Sequence, residues 1–139
     1  MLRGEFDPTA TPDQLRAAYE ARLAATVRDQ GPDRIAETTD VDRGRLTALA
    51  SGDAPELTVA EAAAVLGTDP DRRDATTLAA EARDLLLIEL TAAVVDIEEL
   101  SASLDRPVDP DRLRAKLEGR EPLALGTYAA IHGYAGRRR

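Results

Sequence analysis

The stretch "VDRGRLTALASGDAP", residues 41–55, recurs in similar form further along the chain as "VDPDRLRAKLEGREP", residues 108–122. The aligned identities are Val41 with Val108, Asp42 with Asp109, Arg45 with Arg112, Leu46 with Leu113, Ala48 with Ala115, Gly52 with Gly119 and Pro55 with Pro122. An Asp can accept the free amides at a helix start, and a Gly suits the left-handed conformation that ends a helix. The two stretches therefore predict the same short helix twice.

Helix signals also surround the first stretch. The segment "TPDQ" at residues 11–14 is a capping box with Pro at the first helical position, and it predicts a helix to about residue 29. A short helix at about 33–39 precedes the repeated stretch. A second capping box, "TVAE" at residues 58–61, predicts a helix through Leu66. The first half of the chain is thus expected to hold four helices.

The second half follows the same order. The segment "ATTLAAEARDLLLIELTAAVV", residues 75–95, carries apolar residues around most of a helical circumference, which predicts a central core helix. Further helices are predicted at about 97–104, 110–118 and 124–134. No segment alternates polar and apolar residues as a half-buried strand does.

These patterns predict an all-α protein of two similar four-helix units with helix-turn-helix character. The first unit spans residues 1–67, the second spans 75–139 with a tail of three Arg residues, and the polar segment 68–74 links them. A single core becomes marginal below about 60 residues. We therefore expect the two units to pack into one compact protein that shares a core through the 75–95 helix.

Composition points to a salty environment. The chain has 26 acidic and 18 basic residues, a formal net charge of −8, and Lys116 as its only lysine. A strongly negative surface stays hydrated in concentrated salt, where its self-repulsion is screened. We expect a halophilic protein that loses structure in dilute buffer. The alternative source of this composition is an ordinary acidic protein from a GC-rich genome.

Membrane insertion and secretion are not predicted. The first ten residues lack the apolar core of a signal peptide, and the longest apolar run, residues 85–95, is far shorter than the ~20 residues that a spanning helix requires. Glu89 also interrupts that run. We therefore expect a cytoplasmic protein with no membrane partner.

Catalytic and metal-binding patterns are missing from the sequence. With no cysteine there is no disulfide, thiolate ligand or Cys nucleophile. His132 is the only histidine and no motif pairs it with a nucleophile. The acidic residues lack the spacing of a calcium loop, and the glycines form no phosphate-binding loop. We expect neither an enzyme nor a metal or cofactor site.

The first unit resembles the helix-turn-helix of the lambda-repressor-like, Cro/CI-type family. Ile35-Ala36, Val41, Leu46, Gly52 and Pro55 keep the spacing of that family's second and third helices. In the second unit the residues that keep it are Val108, Leu113, Gly119 and Pro122, with a turn before Val108 that is two residues longer. The whole chain is also similar to a family of small acidic haloarchaeal proteins known only as a domain of unknown function.

The resemblance implies a DNA-binding transcriptional regulator of a halophilic archaeon. That family reads bases from positions two, three and six after the Val, which here are Arg43, Gly44 and Thr47, then Pro110, Asp111 and Arg114. The expected contacts with duplex DNA are Arg43, Arg45, Thr47, Arg112, Arg114, Lys116 and Arg120. Acidic residues lie among these cations, so the alternative is a non-enzymatic module that uses the same helices to bind a protein or a second copy. No motif in the sequence identifies an operator, a ligand or an oligomeric state.

Overall fold

Eight α-helices make up the part of the chain that the structure, a computed structural model, describes: residues 10–53, 55–104 and 107–138. They are α1 (Pro12–Gln30), α2 (Pro32–Thr38), α3 (Arg43–Ala50), α4 (Val59–Leu66), α5 (Ala75–Ala92), α6 (Ile97–Ser103), α7 (Pro110–Leu117) and α8 (Leu125–Arg138). The all-α prediction is confirmed. Two helices differ from their predicted ends: the helix predicted at 75–95 ends at Ala92, and the last helix continues to Arg138 instead of ending near residue 134.

Both predicted capping boxes are present. The backbone amide of Gln14 donates to Thr11 Oγ1 at 3.2 Å, and the Thr11 amide donates to Gln14 Oε1 at 2.9 Å. Thr58 and Glu61 exchange the equivalent bonds at 3.1 and 3.0 Å. Each box satisfies two of the amides that a helix start leaves free, which fixes where α1 and α4 begin.

The two repeated stretches form α3 and α7, but their starts differ. The Asp109 carboxylate accepts an amide of the following turn at 2.9 Å, as predicted. The prediction for Asp42 is wrong: its carboxylate caps no amide of α3 and instead lies over Gly44, where a Cβ atom would be 2.9 Å from Oδ2. Gly52 and Gly119 both have positive φ, +87° and +83°, as their helix-ending role requires.

The two halves of the chain share one hydrophobic core. The first helix of each half packs against the last helix of the other half, α1 on α8 and α5 on α4. At the α1–α8 contact the rings of Tyr19 and Tyr128 meet edge to face, with centroids 5.7 Å apart. The compact packing is therefore confirmed, while the internal repeat remains a prediction.

A short antiparallel bridge joins the loops that follow α3 and α7. The amide of Val59 donates to the Leu123 carbonyl at 2.7 Å, and the amide of Leu125 donates to the Leu57 carbonyl at 2.8 Å. All four side chains are buried, between 3 and 5 % exposed. The bridge satisfies backbone groups that would otherwise be buried without partners.

The α5 helix is less enclosed than its sequence predicted. One stripe faces the core and comprises Leu78, Ala82, Leu86, Glu89 and Leu90. Leu87 and Ile88, however, are 42 and 55 % exposed, and Val94 just beyond the helix is 82 % exposed. The prediction of a fully central helix is therefore wrong for its C-terminal end.

A buried polar contact between a carboxyl group and an imidazole crosses the interface of α5 and α8. Glu89 is 3 % exposed, and its Oε1 atom lies 2.7 Å from Nδ1 of His132. The His132 ring stacks on Tyr128, and burial holds the pKa of the Tyr128 hydroxyl above its ordinary value. A buried carboxylate is costly without compensation, so the imidazole that faces it contributes to the stability of this contact.

We predict that His132→Ala lowers the free energy of unfolding by about 2–4 kcal/mol, because a buried carboxylate loses its facing imidazole. Chemical denaturation of the purified protein measures the change. Adding Glu89→Gln to this variant should recover part of the loss, since a neutral amide then replaces the buried carboxyl group. Equal losses in the single and double variants would show that the loss does not come from the Glu89–His132 contact.

Candidate nucleic-acid interface

The helices α2 and α3 form a compact pair joined by residues 39–42. Ile35, Val41 and Leu46 are 0, 3 and 0 % exposed, so these three of the positions that carry the helix-turn-helix resemblance face the core. Their burial fixes the orientation of α3, because the opposite side of a helix must then face solvent.

The turn between α2 and α3 is held by Thr39. Its hydroxyl donates to the Ile35 carbonyl at 2.7 Å and accepts the Val41 amide at 3.2 Å. Thr39 is not among the residues that the sequence pattern singled out. A hydroxyl just past a helix end can bond the carbonyl four residues back, and that signal could have identified it.

The open side of α3 carries Arg43, Gly44 and Thr47, all exposed. Thr47 Oγ1 donates to the Arg43 carbonyl at 2.9 Å. Arg43 Nε lies 2.7 Å from Oδ1 of Asp33, and these two side chains are 69 and 70 % exposed. An ion pair this exposed contributes at most about 1 kcal/mol. The Arg43 guanidinium can therefore exchange Asp33 for another acceptor at little cost.

Arg45 has a different role from its neighbours on α3. Its guanidinium forms a two-pronged ion pair with Glu61 at the start of α4 and donates to the Glu56 carbonyl. The hydrogen bond from Arg45 holds the pKa of Glu61 below its ordinary value, and the same bond raises the pKa of Arg45. The structure therefore places Arg45 in a brace between α3 and α4 and not with Arg43 and Thr47.

We predict that Glu61→Gln lowers the free energy of unfolding by about 1–2 kcal/mol near neutral pH, because the charged bond to Arg45 is weakened. Since the folded-state pKa of Glu61 is depressed, its stabilisation is present above about pH 4.5 and is lost as the pH falls through the folded pKa. The difference between variant and unmodified protein should shrink accordingly in urea denaturations at descending pH.

The matched control for this measurement is Glu37→Gln, which removes the same charge from an exposed position on α2. It should leave the stability nearly unchanged at every pH. A Glu61→Gln deficit that stays constant from neutral to acidic pH would show that the brace does not depend on the ionised carboxylate.

Arg112 and Arg114 are exposed on two different sides of α7. Arg112 Nη2 lies 3.1 Å from Oε1 of Glu121, and Arg114 Nη1 lies 3.5 Å from Oδ1 of Asp111. Both Arg side chains are more than half exposed, 66 and 52 %. Leu113, between them in the sequence, is 0 % exposed, so the two guanidinium groups flank the buried side of the helix.

The remaining predicted cations near α7 are also engaged. Lys116 Nζ donates to the Pro122 carbonyl at 3.0 Å, and Arg120 Nη2 lies 2.8 Å from Oε2 of Glu118. The described part of the Arg tail is helical, and Arg138 pairs with Glu99 on α6. Arg139 lies outside the described residues. The cations and carboxylates of α7 thus form a mixed surface and not a purely basic one.

The predicted site residues fall into two groups. Arg43 and Thr47 share the open side of α3, while Arg112, Arg114, Lys116 and Arg120 lie on α7 and the turn after it. Each of these helices leads through a short loop into one side of the bridge between residues 57–59 and 123–125. The bridge therefore links the two candidate surfaces through backbone hydrogen bonds.

Metal-binding clusters and membrane-spanning helices are both missing from the part of the chain that the structure describes. No cluster of three His, Cys, Asp or Glu side chains there is arranged to hold a metal ion. Among the same residues, no helix has both the length and the apolar character needed to cross a bilayer.

Fold and surfaces together define an all-α protein in which α2 packs on α3 and polar residues lie on the open side of α3. The chain belongs to the family of unknown function DUF5791, whose model matches residues 15–138. Neither a curated protein nor a solved structure matches it.

Proposed function

We propose that the protein is a non-enzymatic, DNA-binding transcriptional regulator of the lambda-repressor-like kind. The observation that carries this proposal is the orientation of α3: packing of Ile35, Val41 and Leu46 leaves Arg43 and Thr47 exposed on a helix face that no described part of the chain covers. Those are the positions from which the resembled family reads bases. In the second half, Leu113 is buried and Arg114 is exposed at the position equivalent to Thr47.

The side chains suit distinct parts of duplex DNA. The guanidinium groups of Arg43 and Arg114 can each bind a guanine edge with two hydrogen bonds, and the Thr47 hydroxyl can bond a base or a phosphate. Arg112, Lys116 and Arg120 are placed to contact phosphates. Phosphate contacts weaken steeply with salt, so base contacts must supply most of the affinity in concentrated salt.

Two features support an internal repeat that offers one such helix from each half. The first is the crossed packing, in which α1 contacts α8 while α5 contacts α4. The second is the reciprocal exchange of hydrogen bonds between residues 57–59 and 123–125. We therefore propose that residues 1–67 and 75–139 are two copies of one helical unit joined by 68–74.

We predict that the unmodified protein selects specific sequences from a random duplex pool in moderate salt. With a selected duplex, Arg43→Ala and Arg114→Ala should each weaken binding roughly 5- to 150-fold, the equivalent of the ~1–3 kcal/mol that one guanine contact provides. Fluorescence anisotropy measures both affinities. Arg112→Ala should weaken selected and scrambled duplexes alike, as expected for a phosphate contact.

The control is Arg73→Ala, which removes an equally exposed, Glu81-paired guanidinium from outside α3 and α7. It should bind the selected duplex nearly as well as the unmodified protein. If the unmodified protein retains no duplex at moderate salt, or if Arg73→Ala weakens binding as much as Arg43→Ala, the proposal fails.

A second candidate function is a protein-interaction module that uses the same helices. Carboxylates favour it: the Asp42 side chain lies over Gly44 on the open side of α3, and Asp111 is 91 % exposed on α7. Such groups repel phosphate but can pair with cations of a protein partner. This candidate predicts that tagged protein retains a protein and no duplex, and that Asp111→Asn releases the protein.

We further propose a halophilic archaeal source and a cytoplasmic location. Support comes from the charge of −8, the single lysine and the number of exposed carboxylates. The ion pairs Arg43–Asp33 and Arg120–Glu118 lie at the surface. Because each pair is neutral, the net negative charge of the chain is unchanged by them.

We predict that the helical circular-dichroism signal is complete in roughly 1–2 M KCl and falls when the salt is removed, because self-repulsion of the acidic surface is then unscreened. Titration of KCl at constant pH measures the effect. Lowering the net charge with Asp71→Asn and Asp84→Asn, both exposed, should move the midpoint to lower salt. Undiminished helicity and unchanged thermal unfolding in dilute buffer would contradict the halophilic proposal.

A further inference from the structure

Three large apolar side chains are exposed together around the C-terminal end of α5. Leu87, Ile88 and Val94 are 42, 55 and 82 % exposed, and no other large apolar side chain in the described part of the chain is exposed. Single exposed apolar residues are common on protein surfaces. A group confined to one place indicates a surface that another molecule covers.

Leu87 lines a groove of about 260 Å³ between α5, α6 and α7, here called the α5–α7 groove; Ile88 follows Leu87 in sequence, and Val94 precedes the lining residue Val95. Its apolar lining comprises Leu87, Leu90, Val95, Ile97, Leu100 and Leu117. The groove exists because α7 touches α5 only lightly, whereas α3 packs extensively on α1. Sites for drug-sized ligands measure about 300–1,000 Å³, so this groove suits one or two apolar side chains better than a free small molecule.

Val94 carries a second anomaly. Its φ angle is +54°, in the left-handed region, and the structure describes no other non-glycine residue with positive φ. A β-branched side chain is strained there, and Gly is the residue that ends helices in this conformation at no such cost. The conformation ends α5, because the amides of Val94 and Val95 donate to the carbonyls of Thr91 and Leu90 at 3.1 and 3.0 Å, but it also presents the Val94 side chain to water. Such strain is typical of positions used for binding.

We propose that the α5–α7 groove is a self-association surface and that its occupant is a second copy of this chain. The surface holds both a hollow and protruding side chains, so a two-fold axis can place Val94 and Ile88 of each copy in the groove of the other. The charged side chains at the rim of the groove are also self-complementary. Arg114 and Glu118 lie one turn apart on α7 and both line the groove, so each can pair with the opposite charge of the second copy.

Charges around the groove disfavour a membrane as the occupant. The exposed carboxylates of Asp84, Asp96 and Glu98 lie on or next to the helices that form it, and they would repel anionic lipid headgroups. Two copies of a chain with charge −8 also repel each other, but that repulsion is screened within about 3 Å at 1 M salt. Self-association should therefore strengthen as KCl is added.

This inference goes beyond DNA binding and does not depend on it. Arg114 belongs to both surfaces, so a dimer formed through the groove would engage it with Glu118 of the second copy. Arg43 on α3 lies outside the groove and stays available. The experiment below contains no DNA, so its result is separate from the success or failure of the proposed regulator.

Analytical ultracentrifugation of the full chain in roughly 1 M KCl should show a reversible monomer–dimer equilibrium over about a hundredfold range of concentration. Ile88→Lys and Val94→Gly should each raise the dissociation constant about tenfold or more, since burial of one branched apolar side chain is worth at least that factor. Ala25→Lys, which adds the same charge as Ile88→Lys at an exposed position on α1, should leave it unchanged.

Val94→Gly also separates loss of the interface from loss of the fold. Because Gly relieves the strained backbone, this variant should unfold at the same or a higher temperature when the proteins compared are dilute enough to be monomeric. A chain that stays monomeric at all concentrations in 1 M KCl would overturn the proposal, even if the groove captured another protein. So would dimers weakened as much by Ala25→Lys as by Ile88→Lys, or a Val94→Gly monomer that is less stable.

Discussion

Two reciprocal backbone hydrogen bonds, between residues 57–59 and 123–125, determine how the rest of this fold is arranged. They join the loops after α3 and α7 and bury Leu57 and Leu123 beneath them. With these loops fixed, α4 begins on one side of the bridge and α8 on the other. The helices α1 and α5 then pack across the chain, each against the last helix of the other half. The orientation of both candidate surfaces follows from this arrangement.

Local sequence signals predicted most of the helices because their physical causes are local. Capping boxes at Thr11 and Thr58, and glycines with positive φ at residues 52 and 119, depend on neighbours within a few positions. Contacts between side chains that are distant in the sequence left no such signal in it. Arg45 meets Glu61 sixteen residues away, and Glu89 meets His132 on another helix. Periodicity also could not show that α5 is apolar on more sides than the fold can cover.

The candidate DNA surface shows the same division between local and tertiary information. The spacing of buried residues correctly indicated that Arg43, Thr47 and Arg114 would face outward. It could not indicate that Arg45, part of the same aligned pattern, turns toward α4. The matched Arg112 stays on the surface, where Glu121 neutralises it. Similar sequences in the two halves therefore present different chemistry, because the surroundings of α3 and α7 differ.

The crossed packing also constrains how the protein can be made and how it can change. Because α1 rests on α8, the first half of a growing chain lacks its main partner until the last helix has been synthesised. The apolar face of the first half stays incompletely buried until then, and the slow, non-local contacts form last. Over evolution the same geometry couples distant parts of the sequence: a bulkier residue on α1 needs a compensating change on α8, 95 or more positions later.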